Sequence, residues 1–184
     1  PPLKKTKIKK VKLNNPDALA PAQRKKPELI LYKDKTEKEK IYHDIISKQG
    51  QTLIILPEMS GLLETASLLS KSIADIAVIS SDLTEKQLFD LWIKIRLGEI
   101  KTVVGTRRAF FMPWHDLRAV ILDDEANPNH KSWDMAPRLH NREAAMMLSH
   151  AHGAKFFITA HTPSVESLYF ATHNVYELKN TLAR

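Results

Sequence analysis

The sequence predicts an α/β protein, with a mainly parallel sheet and helices on both faces. Three observations predict it. Short apolar runs alternate with amphipathic stretches along the chain, the pattern of parallel strands whose connections cross over as helices. Some of those runs stop abruptly at polar residues, as Val120-Ile121-Leu122 does at Asp123-Asp124-Glu125. Such a run reads as a buried strand delivering side chains to its carboxyl edge, where open α/β sheets place their ligands. Finally, 184 residues are enough for one such domain with a real core.

The elements follow in order. Residues 1–28 read as a basic leader or linker, with Asn14-Asn15-Pro16-Asp17 as a turn and the alternating Lys7 to Leu13 stretch able to form a short edge strand. Leu29–Tyr32 is a predicted strand. Glu37–Lys48 is a predicted helix with Ile41, Ile45 and Ile46 on its buried stripe. Thr52–Leu56 is a strand stopped by Pro57, and Leu62–Ile73 a helix burying Leu62, Ala66, Leu69 and Ile73. A strand over Ile76–Ile79 precedes a helix capped by Asp82 or Thr84 and closed by Gly98. Strands over Lys101–Val104 and Leu117–Leu122 come next. A helix over Arg142–His152 is closed by Gly153, and a strand over Lys155–Ile158 leads to a last helix over Ser164–Thr172.

Composition narrows the function classes. There is no cysteine, so disulfide frameworks and thiolate metal sites are excluded. No apolar run is long enough to span a bilayer, and no signal peptide is visible. A cytoplasmic protein with no membrane association is expected. Residues 1–28 carry nine basic side chains against two acidic ones, which matches the whole net charge of +7. The folded body is therefore neutral, and the leader is either a phosphate-binding tail or a solvated one. His140, His150, His152 and His161 do not make a zinc site. His150 and His152 would point about 200° apart on a helix, and no further ligand has suitable spacing. No Gly-x-Ser-x-Gly elbow is present for a serine hydrolase. Phe110, Phe111 and Trp114 are expected in the core rather than stacked on bases, and Met146 and Met147 in helix packing.

Several blocks recur in a fixed order: Leu56-Pro57-Glu58, then Val103-Val104-Gly105-Thr106-Arg107, then Ala109-Phe110-Phe111 with Pro113. Asp123 to Glu125 with Lys131 follows, then Pro137-Arg138 with His140, Arg142 and Glu143, and finally Thr162-Pro163-Ser164-Val165-Glu166-Ser167. In these blocks and their spacing the sequence resembles the primosomal protein N′ family, the replication-restart DNA helicases of superfamily 2. The resemblance runs from about Leu29 to about Asn174 and corresponds to the first of that family's two RecA-like motor lobes. It divides the chain into a leader over 1–28 and a lobe over 29–184. The family's second lobe and cysteine-rich zinc insertion have no counterpart, so the chain is expected to be a fragment or a reduced relative.

The resemblance implies ATP and Mg²⁺ as cofactors, without zinc in this chain, and DNA, single-stranded or forked, as partner beside other replication-restart proteins. It also implies a phosphate loop after the first strand. Such a loop needs glycines so that backbone N–H groups can curl round phosphates. The corresponding run is Leu31-Tyr32-Lys33-Asp34-Lys35-Thr36, and no glycine lies between Tyr32 and Gln49. Lys35 could still meet a phosphate and Thr36 a Mg²⁺ ion. The simpler reading makes both surface residues at a helix start, with Thr36 as N-cap.

The family's Asp-Glu-Glu-His stands here as Asp123-Asp124-Glu125-Ala126. Asp123 fits a Mg²⁺-linked carboxylate. Asp124 stands one methylene short of the glutamate that would orient water. Sliding the pair to Asp124-Glu125 would turn the strand's side chains to the other face. The resemblance puts Glu58, Gly105, Thr106, Arg107 and Thr162 on a DNA-facing edge, where Thr106 and backbone N–H groups could bind phosphates. Arg107 could equally form an internal ion pair with Glu125 or Glu166. The expectation is a DNA-binding motor lobe with a degenerate ATP site and weak or no ATP hydrolysis. The competing expectations are a fragment of an active ATP-dependent 3′–5′ helicase and a protein-interaction module of a replication or repair complex.

Overall fold

The computed structural model describes residues 25–131 and 139–180. The predicted edge strand and turn of the leader, and Pro137 and Arg138, lie outside those residues.

Seven strands, all parallel, form one sheet: β1 (Glu28–Leu31), β2 (Gln51–Ile55), β3 (Ile76–Ile79), β4 (Thr102–Gly105), β5 (Leu117–Leu122), β6 (Lys155–Ala160) and β7 (Glu177–Asn180). Their order across the sheet is β3-β4-β2-β5-β6-β1-β7. Parallel neighbours need crossovers, and the helices supply them. These are α1 (Lys35–Lys48), α2 (Met59–Ser70), α3 (Glu85–Arg96), α4 (Asn141–His152) and α5 (Val165–Thr172). α1 and α2 pack on one face of the sheet through Tyr42, Ile45, Leu62 and Leu69. α3, α4 and α5 cover the other through Ile95, Ala145, Phe170 and Ala171. β2 and β5 sit between these layers with Leu53, Ile54, Ile55, Val120, Ile121 and Leu122 fully buried. Burial on both faces is why these strands read as unbroken apolar runs rather than alternating ones.

Local chemistry sets the helix ends. Thr84 and Gln87 form a reciprocal capping box at α3, which satisfies two backbone donors at once. Gly153 closes α4 at φ 64, a conformation that costs glycine nothing. Asp34, not Thr36, caps α1, because its carboxylate accepts from the Glu37 amide. Thr36 lies inside the first turn, where its hydroxyl has no capping geometry.

Three further expectations are corrected, and one strand was missed. The buried stripe of α1 is centred on Tyr42 and Ile45, with Ile41 and Ile46 only partly covered. Phe110 is in the core, but Phe111 is 71% exposed, because residues 107–111 form a 3₁₀ turn. Its tight winding sends neighbouring side chains to different sides. Met147 is likewise exposed on α4, while Met146 is partly buried. β7 was not predicted. It pairs with β1 at the end of the sheet.

Candidate nucleotide and DNA edge

All strands run the same way, so their carboxyl ends form one edge. Along it lie Ser80 after β3, Gly105 to Arg107 after β4, Glu58 after β2, Asp123 after β5, Thr162 after β6 and Tyr32 after β1. The topology therefore brings every predicted site residue to one side of the molecule.

Asp123 is 2% exposed. Its Oδ2 accepts from Lys38 Nζ at 2.5 Å and its Oδ1 from the Tyr42 hydroxyl at 2.7 Å. Thr159 Oγ1 stands 3.4 Å from Oδ1. A buried carboxylate is tolerable only when paired and hydrogen-bonded, and Lys38 with Tyr42 meets both conditions. The Lys38 ammonium also sits 5.8 Å from the Tyr32 ring centre and 5.6 Å from that of Tyr42, within cation–π range. Burial and then the Asp123 charge push the Tyr42 hydroxyl well above its ordinary pKa, so it stays a neutral donor. Tyr32 is raised for the same reasons.

The connection from β1 to α1 is only Tyr32, Lys33 and Asp34. Asp34 caps the helix, and Glu37 Oε2 accepts from the Lys33 amide at 2.7 Å. The positive end of α1 is thus matched by carboxylates of its own chain. Lys35 turns away to Glu64 at 2.5 Å, on the surface. That pair holds the Glu64 carboxyl below its usual range. A cavity of about 90 Å³ remains between α1 and α2, lined among others by Lys35, Lys38, Tyr42, Glu64 and Asp123.

Asp124 adopts φ 48, the left-handed region that Asp tolerates better than most residues. Its carboxylate accepts from Asn127 Nδ2 at 3.1 Å. Glu125 is buried and accepts from the Ser164 amide at 2.6 Å and the Ser164 hydroxyl at 3.0 Å. Arg142 Nη1 lies 3.7 Å from Glu125 and 3.9 Å from Glu166. The pairing expected for Arg107 is therefore made by Arg142, which α4 carries to that spot. Arg107 instead donates to the Asn129 carbonyl at 3.1 Å, and Asn129 Nδ2 donates to Glu58 at 3.2 Å. Thr106 and Thr162 lie at the rim, the latter 3.3 Å from His161 Nδ1. Gly105 packs tightly, since a Cβ there would stand 2.6 Å from Ala109 Cβ.

Sequence reasoning missed Lys38, Tyr42, Asn129 and His130. Lys35, Lys38 and Tyr42 share one helical stripe, but nothing on it separates a paired lysine from a solvated one. His130 had no signal in the sequence. It is 1% exposed, and its Nε2–H donates to the Asp123 carbonyl while Asn141 donates to Nδ1. Burial holds its pKa below the ordinary value. Among the described residues no cluster of three or more His, Asp or Glu could hold a metal ion.

No family model matches the chain. It is 32% identical over 145 residues to the replication restart protein PriA of Haemophilus influenzae, which covers 78% of this chain and 20% of that protein. It is 30% identical over 135 residues to PriA of Bacillus subtilis, covering 73% and 17%. The chain thus spans about a fifth of the length of these relatives. Among solved structures, the C-terminal domain of Saccharomyces cerevisiae Dbp5, bound to Gle1 and IP6, superposes with a TM-score of 0.59 at 13% identity. That match covers 85% of this chain and 89% of that one. The Pyrococcus furiosus Hef helicase domain gives 0.55 at 12% identity, covering 86% and 36%. These likenesses establish the fold as a RecA-like helicase lobe.

Proposed function

From the premise that this chain is a relative of the replication restart protein PriA, we propose that it is a DNA-binding motor lobe that does not rely on ATP. One observation carries the reading: Lys38 and Tyr42 hold Asp123, the carboxylate that would meet Mg²⁺. A metal would have to displace the Lys38 ammonium, whose side chain is 19% exposed.

Three further features support the misfit with Mg-ATP. The three-residue loop before α1 contains no glycine, so it offers no amide cradle. The Asp34 and Glu37 carboxylates already take the amides of Glu37 and Lys33 at the start of α1, and their charge disfavours a phosphate there. The cavity beside Asp123 is about 90 Å³, well below the roughly 300 Å³ at which small-molecule sites begin. We therefore assign no hydrolytic step to Asp123, Asp124 or Glu125.

What remains is the edge. Thr106, Thr162 and the amides near Gly105 offer hydrogen bonds to phosphate, and Arg107 adds charge. Its substrate is single-stranded or forked DNA, within a complex of replication-restart proteins in the cytoplasm. The test is DNA binding against salt for the full chain, the chain lacking residues 1–24, and Arg107→Ala. The reading expects Arg107→Ala to lower affinity and reduce the salt slope by about one. Binding that vanishes with the leader and ignores Arg107 would refute edge binding. A second reading, a protein-interaction module, is favoured by Phe89 on α3 and Leu97 at its C-cap, 60% and 62% exposed.

A further inference from the structure

We infer that the loop after β5, residues 123–131, is a bracket, and that Glu125 and Asn129 are positioning residues for the loops on either side of it. The inference rests on the DNA-binding reading only for its purpose; the bracket itself is a matter of geometry. On one side Glu125 reaches the loop after β6. Both of its carboxylate oxygens are taken by Ser164, one by the amide at 2.6 Å and one by the hydroxyl at 3.0 Å. Ser164 is in turn the N-cap of α5, its hydroxyl accepting from the Ser167 amide. Glu125 therefore sets the start of α5 and, two residues before Ser164, the placement of Thr162.

On the other side Asn129 joins two more loops. Its backbone carbonyl accepts from Arg107 after β4, and its side-chain amide donates to Glu58 after β2. Asn127 Oδ1 accepts from the Asn129 amide at 3.0 Å and fixes the turn that presents it. The far end of the loop is anchored by His130, which joins the Asp123 carbonyl to Asn141 of α4. The loop after β5 thus ties together the loops that follow β2, β4 and β6. Glu125 makes these bonds with a buried carboxylate, and a charged acceptor gives the stronger kind of hydrogen bond.

The bracket has two independent arms, and that makes it testable. Residue-resolved hydrogen exchange on the full chain is compared for wild type, Asn129→Ala and Glu125→Gln, with DNA affinity measured in parallel on a single-stranded oligonucleotide. Asn129 is exposed, so its truncation leaves the fold intact. Asn129→Ala keeps the carbonyl that takes Arg107 and removes the amide that reaches Glu58, so it should speed exchange in the first turn of α2 while sparing 164–168. Glu125→Gln should do the reverse, because a neutral amide loses one acceptor oxygen and the charge facing Arg142. In the DNA arm, Asn129→Ala should weaken binding about threefold, and should add nothing in a Glu58→Ala background, where its side-chain partner is already gone. Exchange that changes equally in both segments, or in neither, would overturn the bracket. If wild type does not bind the oligonucleotide, the DNA reading fails on its own, and the exchange data still decide the bracket.

Discussion

Lys38→Met leaves the Asp123 carboxylate buried without its cation. Removing one partner of a mostly buried pair costs about 3 kcal/mol, and Lys38 qualifies because its side chain is only 19% exposed. Thermal unfolding should fall by roughly 6–12 °C for a domain of this size. Adding Asp123→Asn should recover part of that loss, because the stranded charge is gone; an unchanged midpoint in the single variant would contradict the pairing. His130 gives a second expectation. Burial depresses its folded pKa below 6.5, so between that lowered value and 6.5 the unfolded state binds more protons. Stability is then full above about pH 6.5 and declines as pH falls through this window. Denaturant unfolding at pH 7 and pH 5 should show a smaller decline for His130→Gln than for wild type. His140 and His152, also depressed by burial, keep the decline from vanishing. At this scale Asp123 was legible, because a buried strand stops at it. Lys38 was not, since a lysine on a helix reads as solvated unless the partner across the fold is known. Asn129 and His130 owe their roles to contacts made outside any periodic pattern.

Gly105 ends β4 against the 3₁₀ turn that follows. A Cβ there would lie 2.6 Å from Ala109 Cβ and 3.0 Å from the Ile79 carbonyl. Neither atom is the free end of a flexible side chain, so Gly105→Ala must shift backbone. The expected cost is about 1–3 kcal/mol, read as a lower urea midpoint with unchanged slope; a midpoint equal to wild type would mean the turn yields freely. Element types were largely legible. The strands over Ile76–Ile79 and Leu117–Leu122 have the predicted bounds, because apolar runs with sharp polar ends define both limits. Helix starts were placed late at α1 and α2, where the first turns are polar or small and carry no apolar stripe. β7 was missed because Glu177–Asn180 is an edge strand of polar character, whose pairing comes from β1 rather than from its own pattern. On α1 the buried Ile45 was predicted, but Tyr42 was not, because its hydroxyl made it read as polar.

The whole molecule is a neutral sheet domain preceded by a strongly basic segment. If the edge binds DNA, removing residues 1–24 should lower affinity and flatten the salt dependence, yet leave binding that Arg107→Ala reduces further. Filter binding across a salt series separates the two terms. The family could be seen in ordered blocks of residues. The internal cation could not, because it lies in the space between α1 and β5 and not in any motif. Whether the lobe has kept its grip on nucleotide is the claim on which the account turns, and calorimetric titration of Mg-ATP into the full chain tests it most directly. The account predicts no binding tighter than roughly 100 µM, about −5.5 kcal/mol, and no gain in Asp123→Asn. Saturable binding below that concentration, lost on Lys35→Ala, would contradict it.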